Sequence, residues 1–238
     1  MKVLITGNNG YIGTVLTEVL QKEGYYVTGL DVNYFESCNL EPVNQSFTQI
    51  IKDIRAVDSS DVDGFDGVIH LAGLSNDPLG ELNPQLTEEI NLHGTIKLAN
   101  LAKNAGVKRF VYSSSQSMYG ISDTENELDE DNSEKNPVTA YATTKWEAEL
   151  ELKKLNSENF TVVCFRPSTV FGASPRLRCD IVYNNLVACA YTTGKIEILS
   201  DGTPWRPVVH VKDVCKAFTV GLAATAEMVA GKAFNVGI

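Results

Sequence analysis

Tyr141 and Lys145, in the run Tyr141-Ala142-Thr143-Thr144-Lys145, lie four residues apart and share one face if this stretch is helical. An ammonium beside a phenol favours the phenolate and lowers the tyrosine toward use as a general base. The same spacing arises on helices that do no chemistry, so the pair needs company. Tyr112-Ser113-Ser114-Ser115-Gln116-Ser117 offers it: these hydroxyls follow a short apolar run that reads as a central strand. Ligands of open α/β sheets bind beyond the carboxyl ends of such strands, where a hydroxyl can hold a substrate oxygen.

A second group of residues suits a dinucleotide. Gly7-Asn8-Asn9-Gly10-Tyr11-Ile12-Gly13 stands between a predicted strand and a predicted helix. Backbone amides and the positive helix end would face whatever sits above it. In such a turn Gly7 allows the tight bend, Gly10 lets a diphosphate approach the backbone, and Gly13 lets the helix lie close to the strand. A glycine trio alone also makes a simple turn; its place after a strand and before a helix meets the contextual requirement. Asp31, at the end of the next predicted strand, would accept bonds from adenosine ribose hydroxyls and repel a 2′-phosphate, favouring NAD over NADP. Asp53-Ile54 reads either as an adenine contact or as a surface turn.

The elements that must position these groups follow from apolar spacing. Lys2–Thr6 reads as a strand and Tyr11–Glu23 as a helix, with Ile12, Val15, Leu16, Val19 and Leu20 on one side. Strands are predicted at 25–30, 68–72, 109–113 and 161–165, and helices at about 84–105, stopped by Gly106, and at 140–155. Alternation of this kind indicates parallel βαβ units, hence a doubly wound, Rossmann-type α/β sheet with helices on both faces. Residues 1–170 are expected to form the dinucleotide-binding domain. Residues 171–238 are expected to form a substrate-binding region interleaved with that core.

Composition narrows the classes. Of 238 residues 43% are apolar and 21% charged, ordinary for a chain that packs a core. The net charge of -10 opposes general nucleic-acid binding. It is unevenly spread: residues 1–170 hold 25 acids and 13 bases, whereas 171–238 hold 5 acids and 7 bases, so the tail is suited to face an anion. Residues 123–134, with seven acids in twelve positions, read as a solvated loop. No apolar stretch approaches membrane-spanning length, and the amino terminus has no signal-peptide core. Cys38, Cys164, Cys179, Cys189 and Cys215 are scattered without metal-ligand spacing, and read as reduced packing residues of a cytoplasmic protein; no metal site is expected.

The chain resembles the extended short-chain dehydrogenase/reductases, and among them the NAD-dependent nucleotide-sugar epimerases and dehydratases, typified by UDP-glucose 4-epimerase. The resemblance runs over essentially the whole chain. It rests on Thr6-Gly7 to Gly13, His70-Leu71-Ala72-Gly73, Asn91 in Ile90-Asn91-Leu92-His93-Gly94-Thr95, Ser113 to Gly120, Tyr141 with Lys145, Arg166-Pro167, Val170-Phe171-Gly172, and Arg206 with His210-Val211 and Asp213. It implies that Tyr141 is the acid/base, that Lys145 tunes it and holds the nicotinamide ribose, and that Ser115 hydrogen-bonds the sugar hydroxyl being oxidised. It further implies NAD contacts from Gly7, Gly10, Tyr11, Ile12, Gly13, Asp31, Asp53, Ile54, Leu71, Ala72, Gly73, Asn91, Ser113, Tyr141, Lys145 and Pro167. Substrate contacts are implied for Ser115, Gln116, Asn185 and Arg206, the last on the nucleotide diphosphate, although Asn184 beside Asn185 leaves that choice open. Arg176 and Arg178 either assist or are solvated.

In the family's dehydratases and decarboxylases, acidic residues follow the catalytic hydroxyl and move a second proton. Gln116 and Ser117 stand at those places here, so elimination is disfavoured and 4-epimerisation is the first expectation. A dehydrogenase or 4-ketoreductase with exchangeable cofactor uses the same residues, and a catalytically silent NAD-binding protein is the alternative of another class. The resemblance also implies that further residues ordinarily close the substrate lobe beyond the strand ending near Val236. It implies a homodimer through a four-helix bundle built from the helices at about 84–105 and 140–155.

Overall fold

The computed structural model describes residues 1–43, 46–75, 77–121, 128–198, 201 and 207–237. Its frame is one sheet of seven parallel strands: β1 (Lys2–Thr6), β2 (Tyr26–Asp31), β3 (Thr48–Ile51), β4 (Gly67–His70), β5 (Arg109–Ser113), β6 (Thr161–Pro167) and one from the tail. That tail strand, Lys232–Val236, is β9, numbered after two short strands described below, and the spatial order is β3-β2-β1-β4-β5-β6-β9. Parallel neighbours need crossovers, and these lie on both faces. α1 (Tyr11–Lys22) and α7 (Val211–Ala223) cover one face, and α4 (Gly94–Asn104) and α5 (Ala140–Leu155) the other.

Strand residues alternate between the two cores, as a pleat requires. Val3, Ile5, Val111 and Val163 pack with Leu16, Leu20, Val214, Phe218 and Leu222. Leu4, Val68, Phe110 and Val162 pack with Leu98, Ala102, Ala148 and Leu152 on the opposite side. The order of strands reverses at β1 and β4, the switch point at which doubly wound sheets bind ligands.

Two elements differ from expectation. The strand expected at 68–72 ends at His70: Leu71 still donates to the Thr6 carbonyl (3.0 Å), but Ala72 and Gly73 lie beyond the sheet, Ala72 against Gly7 and Gly73 against Asn91. The single helix expected at about 84–105 is two helices, α3 (Pro84–Glu88) and α4, joined by a π-helical turn at Glu89–His93. The wider turn carries Asn91, which is buried and bound through its side chain to the backbone of Leu74 (2.8 and 3.0 Å). A short helix α2 (Asp77–Leu82) precedes them.

The tail divides. β7 (Thr169–Phe171) and β8 (Val208–His210) pair as a separate two-stranded sheet, and α6 (Val182–Thr193) lies outside both cores. α7 and β9, by contrast, belong to the main layers, and α8 (Ala226–Val229) lies between them in the chain. The five cysteines are free thiols. Only Cys164 and Cys215 are buried; Cys38, at the end of a 3-10 turn, and Cys179 are exposed, so they do not serve the packing role expected of them. Among the described residues no helix is long and apolar enough to cross a membrane, and no metal-binding cluster of His, Cys, Asp and Glu occurs. Residues 122–127, and with them the first five positions of the acidic stretch, lie outside the described residues.

Candidate active site

The turn after β1 is built from close backbone approach. Gly7 has φ +75°, and a Cβ there would lie 2.7 Å from the Ala72 nitrogen. A Cβ at Gly13 would lie 2.2 Å from the Gly7 carbonyl oxygen, so this glycine serves the turn itself as well as the approach of α1. Gly10 differs: its φ is -83°, and its Cβ would meet only the Gly7 oxygen, at 3.2 Å. That approach is mild beside those at Gly7 and Gly13, and among the described residues nothing else comes within 4 Å of the position. No side chain caps α1, and its first turn holds no acid, so the helix end is left for an external anion. A diphosphate fits this cradle.

Asn8 and Gln49, not singled out by sequence spacing, brace the turn from below. Asn8 is buried and donates to Gln49 Oε1 (2.7 Å), while Gln49 Nε2 donates back (3.2 Å). Asp31, at the end of β2, accepts the amides of Asn9 (3.1 Å) and Asn33 (2.9 Å), which aims its carboxylate at the rim of the turn. Asp53 is engaged by Arg55 through its guanidinium (2.7 Å) and backbone amide (2.8 Å), and this pairing holds its carboxyl below the ordinary range. Ile54 is buried against Gly94 of α4. Tyr11 turns its hydroxyl to the Gly172 carbonyl (2.8 Å), and Ile12 packs against the α1-side core.

Across the crevice, the side of Leu71–Gly73 is fixed by a chain of hydroxyls around a histidine. Thr95 donates to the Asn91 carbonyl (2.7 Å), so it accepts from His70 Nε2 (2.7 Å), and His70 Nδ1 accepts from Thr6 Oγ1 (2.6 Å). Burial first, and the Lys145 charge second, push His70 down to about 3, so it stays neutral. A Cβ on Gly73 would meet Asn91 Oδ1 at 2.8 Å and stand 4.0 Å from Lys145 Nζ. The loop after β4 and the α5 lysine therefore meet.

α5 starts where its cap allows. Thr139 accepts the Ala142 amide (3.2 Å), and two carboxylates of α2 secure the same end: Asp77 accepts from Thr139 Oγ1 (2.6 Å) and Glu81 from the Ala140 amide (2.7 Å). This sets Tyr141 as the second helical residue, and Lys145 one turn later is buried. Burial brings Lys145 down to about 8; its ammonium donates to the Ser113 carbonyl (2.8 Å) and lies 4.9 Å from the centre of the Tyr112 ring. Burial raises the Tyr141 phenol, opposed by a hydrogen bond with Ser115 and by the charge of Arg178, while Asp77 adds to the rise. Lys145 stands one helical turn from Tyr141 with its ammonium on the Ser113 carbonyl, and the net direction at the Tyr141 phenol is upward. Ser115 caps the turn Gln116–Tyr119, with its Oγ 2.7 Å from Ser117 Oγ and accepting the Ser117 amide (3.1 Å).

The structure thus brings Ser115, Tyr141, Lys145, Ser113, Gly73 and Asn91 to one end of the sheet, with Gln116 half-buried beside Ser115 and Pro167 ending β6 two strands beyond β4. On the tail side, buried Asn184 is the anchored asparagine: it accepts the Gly172 amide (3.0 Å) and donates to the Tyr11 hydroxyl (3.2 Å). Asn185 is exposed and donates to the Cys179 carbonyl (2.9 Å). Arg178 reaches over to Ser75 in the loop after β4 (3.2 Å to its carbonyl), whereas Arg176 stacks 4.5 Å above the Phe35 ring. Arg206 lies outside the described residues.

Comparison with known proteins places this arrangement. The sequence profile of the NAD dependent epimerase/dehydratase family matches residues 3–237. The chain is 30% identical over 249 residues to dTDP-D-glucose 4,6-dehydratase of Mus musculus, covering 99% of this chain and 68% of that protein. It is also 30% identical over 268 residues to UDP-glucose 4-epimerase of Bacillus subtilis (strain 168), covering 100% and 77%. Among solved structures, MoeE5 in complex with UDP-glucose and NAD superimposes with a TM-score of 0.84 at 27% identity, over 100% of this chain and 76% of that one.

Proposed function

The chain belongs to the NAD dependent epimerase/dehydratase family, and we propose that within it this protein epimerises a nucleotide-diphosphate sugar through a transient keto-sugar. NAD, when bound, supplies a hydride acceptor that can return what it takes. The residues that would hold it are Gly7, Gly10 and the amino end of α1 on the diphosphate, Asp31 on the adenosine ribose, and Lys145 on the nicotinamide ribose. Ser115 would hydrogen-bond the sugar hydroxyl. Tyr141 would take that proton and later give it back. With the phenol above its ordinary value, the Ser115 hydroxyl and the Arg178 charge are the groups already working to lower it.

The observation that carries the choice of reaction is the turn after Ser115. Elimination, the reaction of the mouse relative by its name, needs a second proton transfer, and Gln116 and Ser117 are neither acids nor bases of suitable pKa. Epimerisation needs no such group. Arg206, with Asn185 or its anchored neighbour Asn184, remains part of the proposal for the nucleotide side, as does a cytoplasmic homodimer pairing α4 and α5 with their copies. A monomer mass in solution overturns the dimer.

The test is to denature the purified protein, identify what it releases, and offer the intact protein a panel of nucleotide-sugars without added NAD. Released NAD together with conversion of a sugar to its epimer supports the proposal. A 4-keto-6-deoxy product moves the assignment to dehydration. Oxidation or reduction only on supplying cofactor moves it to a dehydrogenase or ketoreductase.

A further inference from the structure

Glu149 lies on α5, one turn beyond Lys145 and two beyond Tyr141, and is 0% exposed. A carboxylate this deep must be answered by charge and hydrogen bonds. Arg166 of β6, 1% exposed, answers it in bidentate fashion, Nε to Oε2 at 3.1 Å and Nη2 to Oε1 at 2.6 Å, and Lys153 adds a contact at 2.9 Å. Burial pushes the Glu149 carboxyl up, but Arg166 and Lys153 outweigh it and hold the group below its ordinary range, so it is ionised.

The pair does more than neutralise itself. Glu149 Oε2 accepts the hydroxyl of Ser114 (2.8 Å), whose backbone amide donates to the Phe165 carbonyl on β6 (2.7 Å). On its far side Arg166 donates through Nη1 to the Tyr119 hydroxyl (2.7 Å) and to the Glu130 carbonyl (3.0 Å). Tyr119 in turn donates to Asn235 of β9 (2.9 Å). Ser114 immediately precedes Ser115, and Tyr119 ends the turn that Ser115 caps. One buried ion pair therefore clamps both ends of the segment presenting Ser115, and its carboxylate stands on the helix presenting Tyr141.

Stability alone is a weak reason for such a pair, because well-packed apolar residues can replace buried ion pairs without loss. Its distinctive geometric output is the placement of the 115–119 turn against α5. We propose that the Glu149–Arg166 pair is a positioning device that sets the separation of Ser115 from Tyr141, with the Ser114 hydroxyl as the link. This rests on the roles proposed above for Ser115 and Tyr141.

The sparing probe is Ser114→Ala, which removes only the hydroxyl held by Glu149, with Ser114→Thr to restore it. Turnover, Tm and the phenol titration of Tyr141 are measured on the full, NAD-loaded chain, the titration as an ultraviolet difference against Tyr141→Phe. Misplacement of reacting groups by a fraction of an ångström to one ångström lowers kcat by about 10- to 100-fold. The expected result for Ser114→Ala is a loss in that range with KM within about twofold of wild type. The Tyr141 phenol, facing Arg178 and Asp77 but released from Ser115, then titrates at higher pH. Ser114→Thr should recover both. Wild-type kcat and an unmoved titration in Ser114→Ala overturn the proposal. So does a loss of kcat that tracks a fall in Tm and is not recovered by threonine. If wild type converts no nucleotide-sugar, the functional assignment fails, while the titration, which needs no substrate, still decides the positioning role.

Discussion

α6, of 12 residues, and α7, of 13, are successive helices of the tail, and they are attached to the sheet by opposite means. α7 places Val214, Cys215, Phe218 and Leu222 in the core beside α1. α6 buries one residue, the polar Asn184, and leaves Val187 and Tyr191 at 69% and 91% exposure. The main sheet with α1 and α7 is thus a tightly packed structure. α6 hangs from it by hydrogen bonds and one ring contact, Tyr183 on Phe171, and among the described residues its apolar side chains are largely exposed. Position along the chain does not separate the two halves; how each helix is held does.

The largest test of that contrast exchanges burial for nothing on each helix. Phe218→Ala removes a ring with no exposed surface, packed against Phe165, and should lower global stability by about 3–5 kcal/mol. Tyr191→Ser should change it by less than about 0.5 kcal/mol, since the side chain meets little but solvent. Denaturant unfolding of both variants reads the difference. A comparable loss from Tyr191→Ser would mean that the α6 face is covered in solution.

A smaller effect separates fold from ligand within the turn after β1. Gly13→Ala forces a Cβ to 2.2 Å from a carbonyl oxygen and should cost about 3 kcal/mol of stability. Gly10→Ala meets nothing closer than 3.2 Å and should cost less than about 1 kcal/mol, yet lose the NAD released on denaturation. If Gly10→Ala retains NAD, the cradle is not where the diphosphate lies.

These glycines also show what was legible in the chain itself. Their spacing, Asp31, and the helix from Ala140 to Leu155 with Tyr141 and Lys145 are local patterns, and the structure has them in place. The break at Glu89–His93 is not local: apolar spacing runs through it, and the extra residue is accommodated where Asn91 binds Leu74, a partner 17 positions away. Glu149 looks like one more surface acid of a Glu-rich helix. The signal available was Arg166 at the end of an apolar strand, because an arginine buried there needs acceptors and a carboxylate answers its charge as well. Asn184 and Asn185 are indistinguishable by type, and only the direction each faces on α6 decides which is anchored.

The anchoring of α6 gives a more local prediction. Asn184→Ala strips the Gly172 amide and the Arg178 carbonyl of a partner, at a cost of about 1–3 kcal/mol. Because α6 contributes nothing to the apolar core, the loss should appear as faster hydrogen exchange of amides in 182–193, with α7 protection unchanged. Equal acceleration in both helices would show that they unfold as one unit and erase the contrast drawn between them.

The most gradual effect, spread over several pH units, concerns acid, and it should originate on the packed side. His70, with 0% exposure, is held near a pKa of about 3, whereas an unfolded histidine titrates near 6.5. Between these values the unfolded chain binds a proton that the native one refuses, so stability falls as pH falls, by up to about 1.4 kcal/mol per pH unit. Above about pH 6.5 both states are neutral at this site and the contribution vanishes. His70→Gln should be less stable than wild type at pH 7, having disturbed Thr6 and Thr95, but its stability should decline less steeply between pH 6 and 4. Parallel slopes for the two proteins would mean that the histidine gains its proton in the native state, which requires water or an anion to reach a site this structure packs shut.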